Sequence, residues 1–470
     1  MPRKSSRRQF MQTTAATGVG FWVAAGLHAE ESTSPNEKIR FACVGIDGKG
    51  SSDSEDAGKQ GDVVAICDVD DLKLNAASKK FEGAKKYNDF RKMLDEMGSS
   101  IDAVTVSTPD HCHAVVAAMA MSLGKHCFCQ KPLTHSIWEA RRLGEIAREK
   151  KVATQMGNQG TSYDPLRRSA AIIQSGVLGT VTEVHVWTNR PIWPQGGGRP
   201  EPDEVPSYLH WEEWLGPASY RPFGKGYHPF AWRGWWDFGT GALGDMACHT
   251  VNMPYMALAL KDPTSVQART SGHNRDSYPK WSTIDFQFPS NGKRPAVKMT
   301  WYDGGDAGEK PPKHLFEAAN PEASGCLVLA KKEDVEAYAK EFKEGKHPWV
   351  SGCLVVGEKG KLYAPGDYAE RQIVLTNGID DPKAEWVHSP GHFDEWVRAI
   401  RGGEQARSNF PDYASGLTET ILLGNLAVWA APEAGQMGKK IEWNAKDLVA
   451  TNAPEVAEVV RPKYRDGYHV

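Results

Sequence analysis

From residue 38 onward the chain alternates short apolar runs with stretches whose apolar residues recur at helical spacing. The runs are KIRFACVGI (38–46), DVVAICD (62–68), IDAVTVST (101–108), HCFCQ (126–130) and VATQMG (152–157). Each is short and rich in Val, Ile, Phe or Cys, as in strands buried on both faces. The intervening spacing predicts helices over 70–81 and 90–97. HAVVAAMAMSLG is a third, closing at Gly124, a natural C-cap. SIWEARRLGEIAREK is a fourth, beginning behind Thr134 and Ser136, which can serve as N-caps. Buried strands alternating with helices predict a doubly wound parallel sheet, which binds ligands at the carboxyl ends of its strands.

The pattern then changes. SVQART, TIDFQF and AVKMTW alternate apolar and polar residues, which predicts a largely antiparallel sheet, and HFDEWVRAIRGG and DYASGLTETILLGNLAVWAA read as C-terminal helices. Residues 186–239 hold seven tryptophans among many prolines and glycines: Trp187, Trp193, Trp211, Trp214, Trp232, Trp235 and Trp236. This is a long, structured loop, and such loops are usually functional. Its aromatic faces suit the C–H faces of sugar rings, with Arg190, Tyr227, His228 and Arg233 as partners for hydroxyls. Residues 302–325 form a second long loop with no evident use. The expected organisation is a leader and linker over 1–37, a nucleotide-binding domain over 38–158, and a second α/β domain over 159–470.

Composition adds limits. A net charge of -3 among 470 residues gives no basic excess for nucleic acid. No apolar run of membrane-spanning length follows the leader. The leader SSRRQFMQTTAATGVGFWVAAGLHAEES resembles a twin-arginine export signal: Arg7 and Arg8, Phe10 two residues on, then an uncharged segment with cleavage after Ala25 or Ala29. It implies export of a folded protein to the periplasm. The eight cysteines include no C-x-x-C pair and several lie in strand-like runs, so free buried thiols are expected.

Candidate chemistry clusters at the strand ends. After the first strand, Gly45, Ile46, Asp47, Gly48, Lys49 and Gly50 approximate a G-x-G-x-x-G dinucleotide loop. Asp47 stands where the middle glycine belongs, and Gly48 is an extra glycine beside it. An ordinary glycine-rich turn is the competing reading. Asp68 ends the second strand roughly 20 residues downstream, where a carboxylate accepts from ribose hydroxyls and repels a 2′-phosphate; NAD is thus favoured over NADP. Ser107, Thr108 and Pro109 follow a later strand and can line the same cleft. His111 and His113 read as cleft or surface residues, not a metal pair. Farther on, Asp245 and His249 lie four apart in GALGDMACHT and share a helical face. The aspartate can hold the imidazole in one tautomer, and such a histidine can take a proton from an alcohol. A purely structural helix pair is the alternative.

Taken together, the glycine loop, Gln130-Lys131-Pro132 after the fifth strand, MGNQG with Asn158 and Gln159, and GALGDMACH resemble the Gfo/Idh/MocA oxidoreductase family. The resemblance runs from about residue 39 to 430. It implies a Rossmann domain followed by an α/β domain with a large open antiparallel sheet, NAD(P) as cofactor, and sugars or cyclitols as substrates. It also implies a homo-oligomer formed through the open sheet face. The family motif is Glu-Lys-Pro. By resemblance, Lys131 contacts the reacting hydroxyl, Pro132 shapes the nicotinamide site, and Asp245 with His249 form the catalytic pair. Gln130 departs from the family glutamate, and Asp47 departs from the glycine.

The expected activity is NAD-dependent oxidation of a sugar or cyclitol hydroxyl, with Lys131, Asp245 and His249 catalytic. Lys131, Arg190, Tyr227, His228, Trp232, Arg233, Asp245 and His249 would meet the substrate. Because free NAD is not expected outside the cytoplasm, two closed cycles are alternatives: redox-neutral cleavage of a glycoside, or transfer between two sugars on a retained cofactor. A sugar-binding module with a degenerate cofactor site is the non-enzymatic alternative.

Overall fold

In the computed structural model, residues 38–347 and 350–470 are described; the segment expected to be an export signal lies outside them. The expected parallel sheet is present. Strands β1 (Ile39–Val44), β2 (Gly61–Cys67), β3 (Lys85–Tyr87), β4 (Ala103–Val106), β5 (His126–Cys129) and β6 (Thr154–Met156) lie in the order β3-β2-β1-β4-β5-β6. Every pairing is parallel. The order reverses between β1 and β4, which opens a crevice above their carboxyl ends. Strand β3 is absent from the apolar pattern because its sequence is Lys-Lys-Tyr; its charges protect a sheet edge. The helix Ile137–Lys150 starts with a complete capping box, Ser136 with Glu139. The eight cysteines are free thiols, seven of them buried.

The second sheet has ten strands: β7 (Val181–Thr188), β8 (Ser265–Thr270), β9 (Ser282–Phe288), β10 (Val297–Tyr302), β11 (Leu327–Leu329), β12 (Ser351–Gly357), β13 (Lys361–Pro365), β14 (Ile373–Leu375), β15 (Ile441–Asn444) and β16 (Val449–Ala450). Only β7 with β10 pairs parallel; the other pairings are antiparallel. One face carries Val184, Val186, Ile284, Phe286, Met299 and Val355 and is buried in the main core with the helices Gly241–Thr250 and Ser415–Trp429.

The expected, mostly antiparallel sheet is present, and part of its opposite face is covered by the same chain. Trp187, Tyr302, Leu354 and Tyr363 point there and are covered by Leu315, Phe316, Ala319 and Tyr338. The 302–325 loop and the helix Lys332–Lys343 therefore have a use: they bury part of that face within the same chain. The remainder is polar, with Lys298–Asp285 and Arg269–Glu309 ion pairs.

The chain also recrosses between the two sheets. The helix His392–Ile400 returns to the first sheet, where Phe393 and Trp396 pack on Phe41 and Phe128. The Trp396 indole N–H donates to the Ala153 carbonyl at 3.0 Å. Residues 39–470 accordingly form one compact unit.

The tryptophan-rich segment builds its own small core from Leu209, Trp211, Trp214, Phe223, Tyr227, Trp235 and Phe238. This core docks on the turn that follows β2. The Asp71 amide donates to the Tyr208 carbonyl at 2.9 Å and the His210 amide to the Val69 carbonyl at 2.9 Å. The segment thereby spans the crevice instead of standing apart from it.

Candidate functional site

A cleft of about 560 Å³ runs from the glycine loop to the helix bearing Asp245 and His249. Its size is that of a small-molecule site. At the first end Gly45 turns tightly at φ +75, and a Cβ there would lie 2.5 Å from the Ser107 carbonyl oxygen. The next helix, Lys49–Gln60, begins at Gly48 with no side-chain cap, and its start borders the cleft through Gly48 and Lys49, while the Gly50 and Ser51 amides donate to the Asp47 and Gly48 carbonyls at 3.0 and 3.3 Å. Gly48 has φ +57 and open space where a Cβ would stand. Such a cradle, with a helix N-terminus and no Cβ at Gly48, fits a pyrophosphate.

Asp68 lines the cleft beyond this loop. Its carboxylate accepts from the amides of Ile46 and Asp70, each at 3.0 Å. Burial pushes its carboxyl up to about 6, against these two amides. Lys49, Ser107, Thr108, Pro109, Gln130 and Gln159 also line the cleft. The walls at this end include three residues with no sequence signal for the role: Phe90, Glu213 and Tyr468, the last from the C-terminal tail. Tyr468 lies under the Arg91 guanidinium at 4.4 Å.

At the other end Lys131 meets the helix Gly241–Thr250. Its Nζ donates to Asp245 Oδ1 at 2.9 Å and to the Asp245 carbonyl at 2.8 Å. The Arg233 Nε donates to the same Oδ1 at 3.3 Å. Lys131 and Arg233 together hold the Asp245 carboxyl down to about 2 despite its burial. His249 shares the helix face but makes no hydrogen bond to Asp245. Its Nδ1 is buried without a partner among the described residues, and its ring meets the edge of Tyr368 at 4.6 Å. Burial, with Lys131 nearby, holds the imidazole well below its ordinary pKa, so it is neutral. The expected Asp245–His249 orientation is thus replaced by an Asp245–Lys131 pair beside a neutral histidine. Arg190, Trp193, Phe230, Trp232 and Tyr368 complete this end. Tyr368 follows β13 and carries no motif.

Several expected residues sit elsewhere. His111 is a buried brace: its ring nitrogens face the carbonyls of Phe238 and Trp214 at 3.2 and 3.0 Å. His113 is buried likewise, between the carbonyls of Pro132 and Thr108 at 2.7 and 2.8 Å. Neither is a cleft or surface residue. Tyr227 is buried in the tryptophan core, among Trp211, Trp235 and Phe238, and does not reach the cleft. His228 does line it, but at the cofactor end, 3.4 Å from Asp70. Ile46, Gly50, Pro132 and Asn158 lie behind the wall. The Asn158 Oδ1 accepts from Ser408 Oγ at 2.6 Å, and Gly50 packs so closely that a Cβ would lie 2.1 Å from the Gly45 carbonyl.

Comparison with known proteins agrees with this geometry. Residues 39–158 match the oxidoreductase-family NAD-binding Rossmann fold, and residues 162–295 match that family's C-terminal alpha/beta domain. The chain belongs to the Gfo/Idh/MocA oxidoreductase family. A levoglucosan dehydrogenase of Pseudarthrobacter phenanthrenivorans is 23% identical over 178 residues, 38% of this chain and 37% of that protein. An inositol 2-dehydrogenase of Salmonella typhimurium is 30% identical over 129 residues, 26% of this chain and 37% of that protein. These matches thus span little more than a third of each relative. The WlbA dehydrogenase of Bordetella pertussis, solved with NADH and UDP-GlcNAcA, has the same fold: TM-score 0.55, 18% identity, 86% of this chain and 98% of that one.

Membership in the Gfo/Idh/MocA family makes the two departures informative. Asp47 does not fill the pyrophosphate cradle. Its side chain is 54% exposed and pairs with Lys73 at 2.9 Å, and Gly48 supplies the empty position. Gln130 answers a second acidic residue that sequence reading missed. Asp53 is buried in the helix Lys49–Gln60; its Oδ2 accepts from Gln130 Nε2 and Ser107 Oγ, both at 2.8 Å, and its Oδ1 pairs with Lys49 at 2.5 Å. The family glutamate at 130 would set two carboxylates against each other. An amide turns that repulsion into a hydrogen bond. Lys131 keeps its anchor through Asp245.

Proposed function

We propose that this oxidoreductase is exported, and that it oxidises a hydroxyl of a sugar, sugar derivative or cyclitol. The observation that carries the reading is the Lys131–Asp245 pair, with His249 beside it, at one end of a cleft whose other end is a dinucleotide cradle. Gly45, Gly48, the first turn of Lys49–Gln60, Asp68 and Ser107 would hold NAD, which when bound supplies a hydride acceptor. Lys131 donates to the substrate oxygen and stabilises its developing negative charge. Asp245 holds the lysine in place through its carboxylate and its carbonyl. Neutral His249 takes the hydroxyl proton. Trp193, Phe230 and Trp232 supply an apolar wall for the substrate.

One observation favours a second reading, that NAD is retained and the net redox change is zero. The cleft is roofed at its cofactor end. The segment containing Tyr208–Trp214 is joined by backbone hydrogen bonds to Val69 and Asp71, just after β2, and Arg465 ties the C-terminal tail to Glu212 at 2.6 Å. A dinucleotide under that roof leaves slowly. The returned hydride would then complete cleavage of a glycosidic bond or transfer between two sugars.

Alanine at Lys131 or His249 tests the assignment. Each substitution is expected to lower turnover at least about 100-fold while NAD binding persists. Full turnover in either variant rejects it. Release of stoichiometric NADH during turnover rejects both closed cycles.

A further inference from the structure

Fixed positive charge collects at the reacting end of the cleft. Lys131, Arg190 and Arg233 all line it. Asp245 is the carboxylate that faces them, and it is already engaged by Lys131 at 2.9 Å and Arg233 at 3.3 Å. Arg190 has Asp367 behind it, at a long 3.4 Å, and the Asn189 side chain beside it. Asp110 lies close by, but it is buried and accepts from Thr240 Oγ1 at 2.6 Å. The remaining acidic residues of the cleft, Asp47, Asp68, Asp89 and Glu213, stand at the cofactor end.

The arginines are held, yet not used up. Their side chains are 22% and 25% exposed. The Arg233 guanidinium lies over Trp232 at 4.3 Å and Phe230 at 4.8 Å, which fixes its plane. It spends Nε on Asp245 and Nη1 on the Phe230 carbonyl, and Nη2 has no partner among the described residues. Guanidinium and ammonium groups only donate. A neutral polyol needs acceptors as well as donors; Asp245, whose two side-chain bonds both fall on Oδ1, and the His249 ring are the acceptors here, against three cationic side chains. A donor-rich end matches a group that only accepts.

We propose that the substrate is an anionic sugar, carrying a carboxylate or a sulfate ester that Arg190 and Arg233 bind while Lys131 holds the reacting hydroxyl. The proposal rests on the sugar-oxidising reading of the cleft and names its substrate class. Planar guanidinium pairs favour such anions by charge-assisted, bidentate hydrogen bonds.

The test is equilibrium binding to the NADH-loaded enzyme, read by NADH fluorescence, using matched pairs: D-glucuronate against D-glucuronamide, D-galacturonate against D-galacturonamide, D-glucose 6-sulfate against D-glucose. The expected result is at least about tenfold tighter binding of the charged member in one or more pairs, weakening with salt. The first two pairs and the third separate carboxylate from sulfate. Arg190→Met should pull that ratio toward one; if the variant fails to fold, the salt dependence of the unaltered enzyme carries the test. Equal or tighter binding of the neutral member in every pair overturns the proposal, and so does a loaded enzyme that binds no member of any pair. NADH loading is measured first, so an enzyme that takes no NADH rejects the cofactor reading instead.

Discussion

The two ends of the cleft are built on different principles. The cofactor end is a short loop between a strand and a helix, where backbone geometry assigns the work: Gly45 turns under Ser107, Gly48 leaves room, Gly50 closes the helix on the strand. The substrate end takes its walls from a long segment that folds on its own aromatic core before it reaches the cleft. A local motif can be read residue by residue. A segment that owes its shape to tertiary packing can be recognised as functional while the duties of its members stay hidden.

Substitutions can break this contrast. Trp214 is buried, stacks on Trp211 at 4.6 Å and borders the cleft. Trp214→Ala is expected to cost about 3–5 kcal/mol of stability and to weaken NAD retention, because it hollows the roof. Urea unfolding and cofactor dialysis measure both; unchanged retention would separate the roof from the cofactor. Gln130→Glu restores the family residue beside Asp53 and is expected to cost about 1–3 kcal/mol. The Asp53→Asn, Gln130→Glu double variant should recover most of that loss, and a thermodynamic cycle would show the coupling.

Gly48→Ala is expected to cost about 1–2 kcal/mol through its left-handed backbone, with a larger loss of NAD affinity than of stability. The smallest effect is that of pH on Asp68. Its folded carboxyl, at about 6, lies above the unfolded value of about 3.9. Between those values the native state binds a proton that the unfolded chain does not. Falling pH through this window should therefore stabilise the empty protein. It should also weaken NAD binding by up to about tenfold per unit, because the ribose needs the carboxylate. Calorimetry from pH 7.5 down to 5 would register both trends.

Much of this was legible before the fold was seen. Buried runs and helical spacing located five of the six parallel strands, and the charged β3 escaped because its edge position needs no apolar residues. Gly45, Asp68, Lys131 and His249, singled out by motif and spacing, all line the cleft. Asp53 was hidden because a buried aspartate within KGSSDSEDAGKQ looks like any polar helix residue until Gln130 is brought against it. Tyr227 and His228 were assigned together from one stretch, yet their side chains part, one into the aromatic core and the other to the cofactor end. His111 was misplaced because an imidazole between two carbonyls leaves no trace in local sequence.

The central claim is that the glycine loop with Gly48 in its open position holds NAD. The direct measurement is mass and absorbance analysis of cofactor released from the purified, denatured protein, with NAD titration of any empty fraction. The account predicts NAD at about one per chain, carried through purification or taken up on addition. A folded protein that neither carries NAD nor binds it would contradict the account.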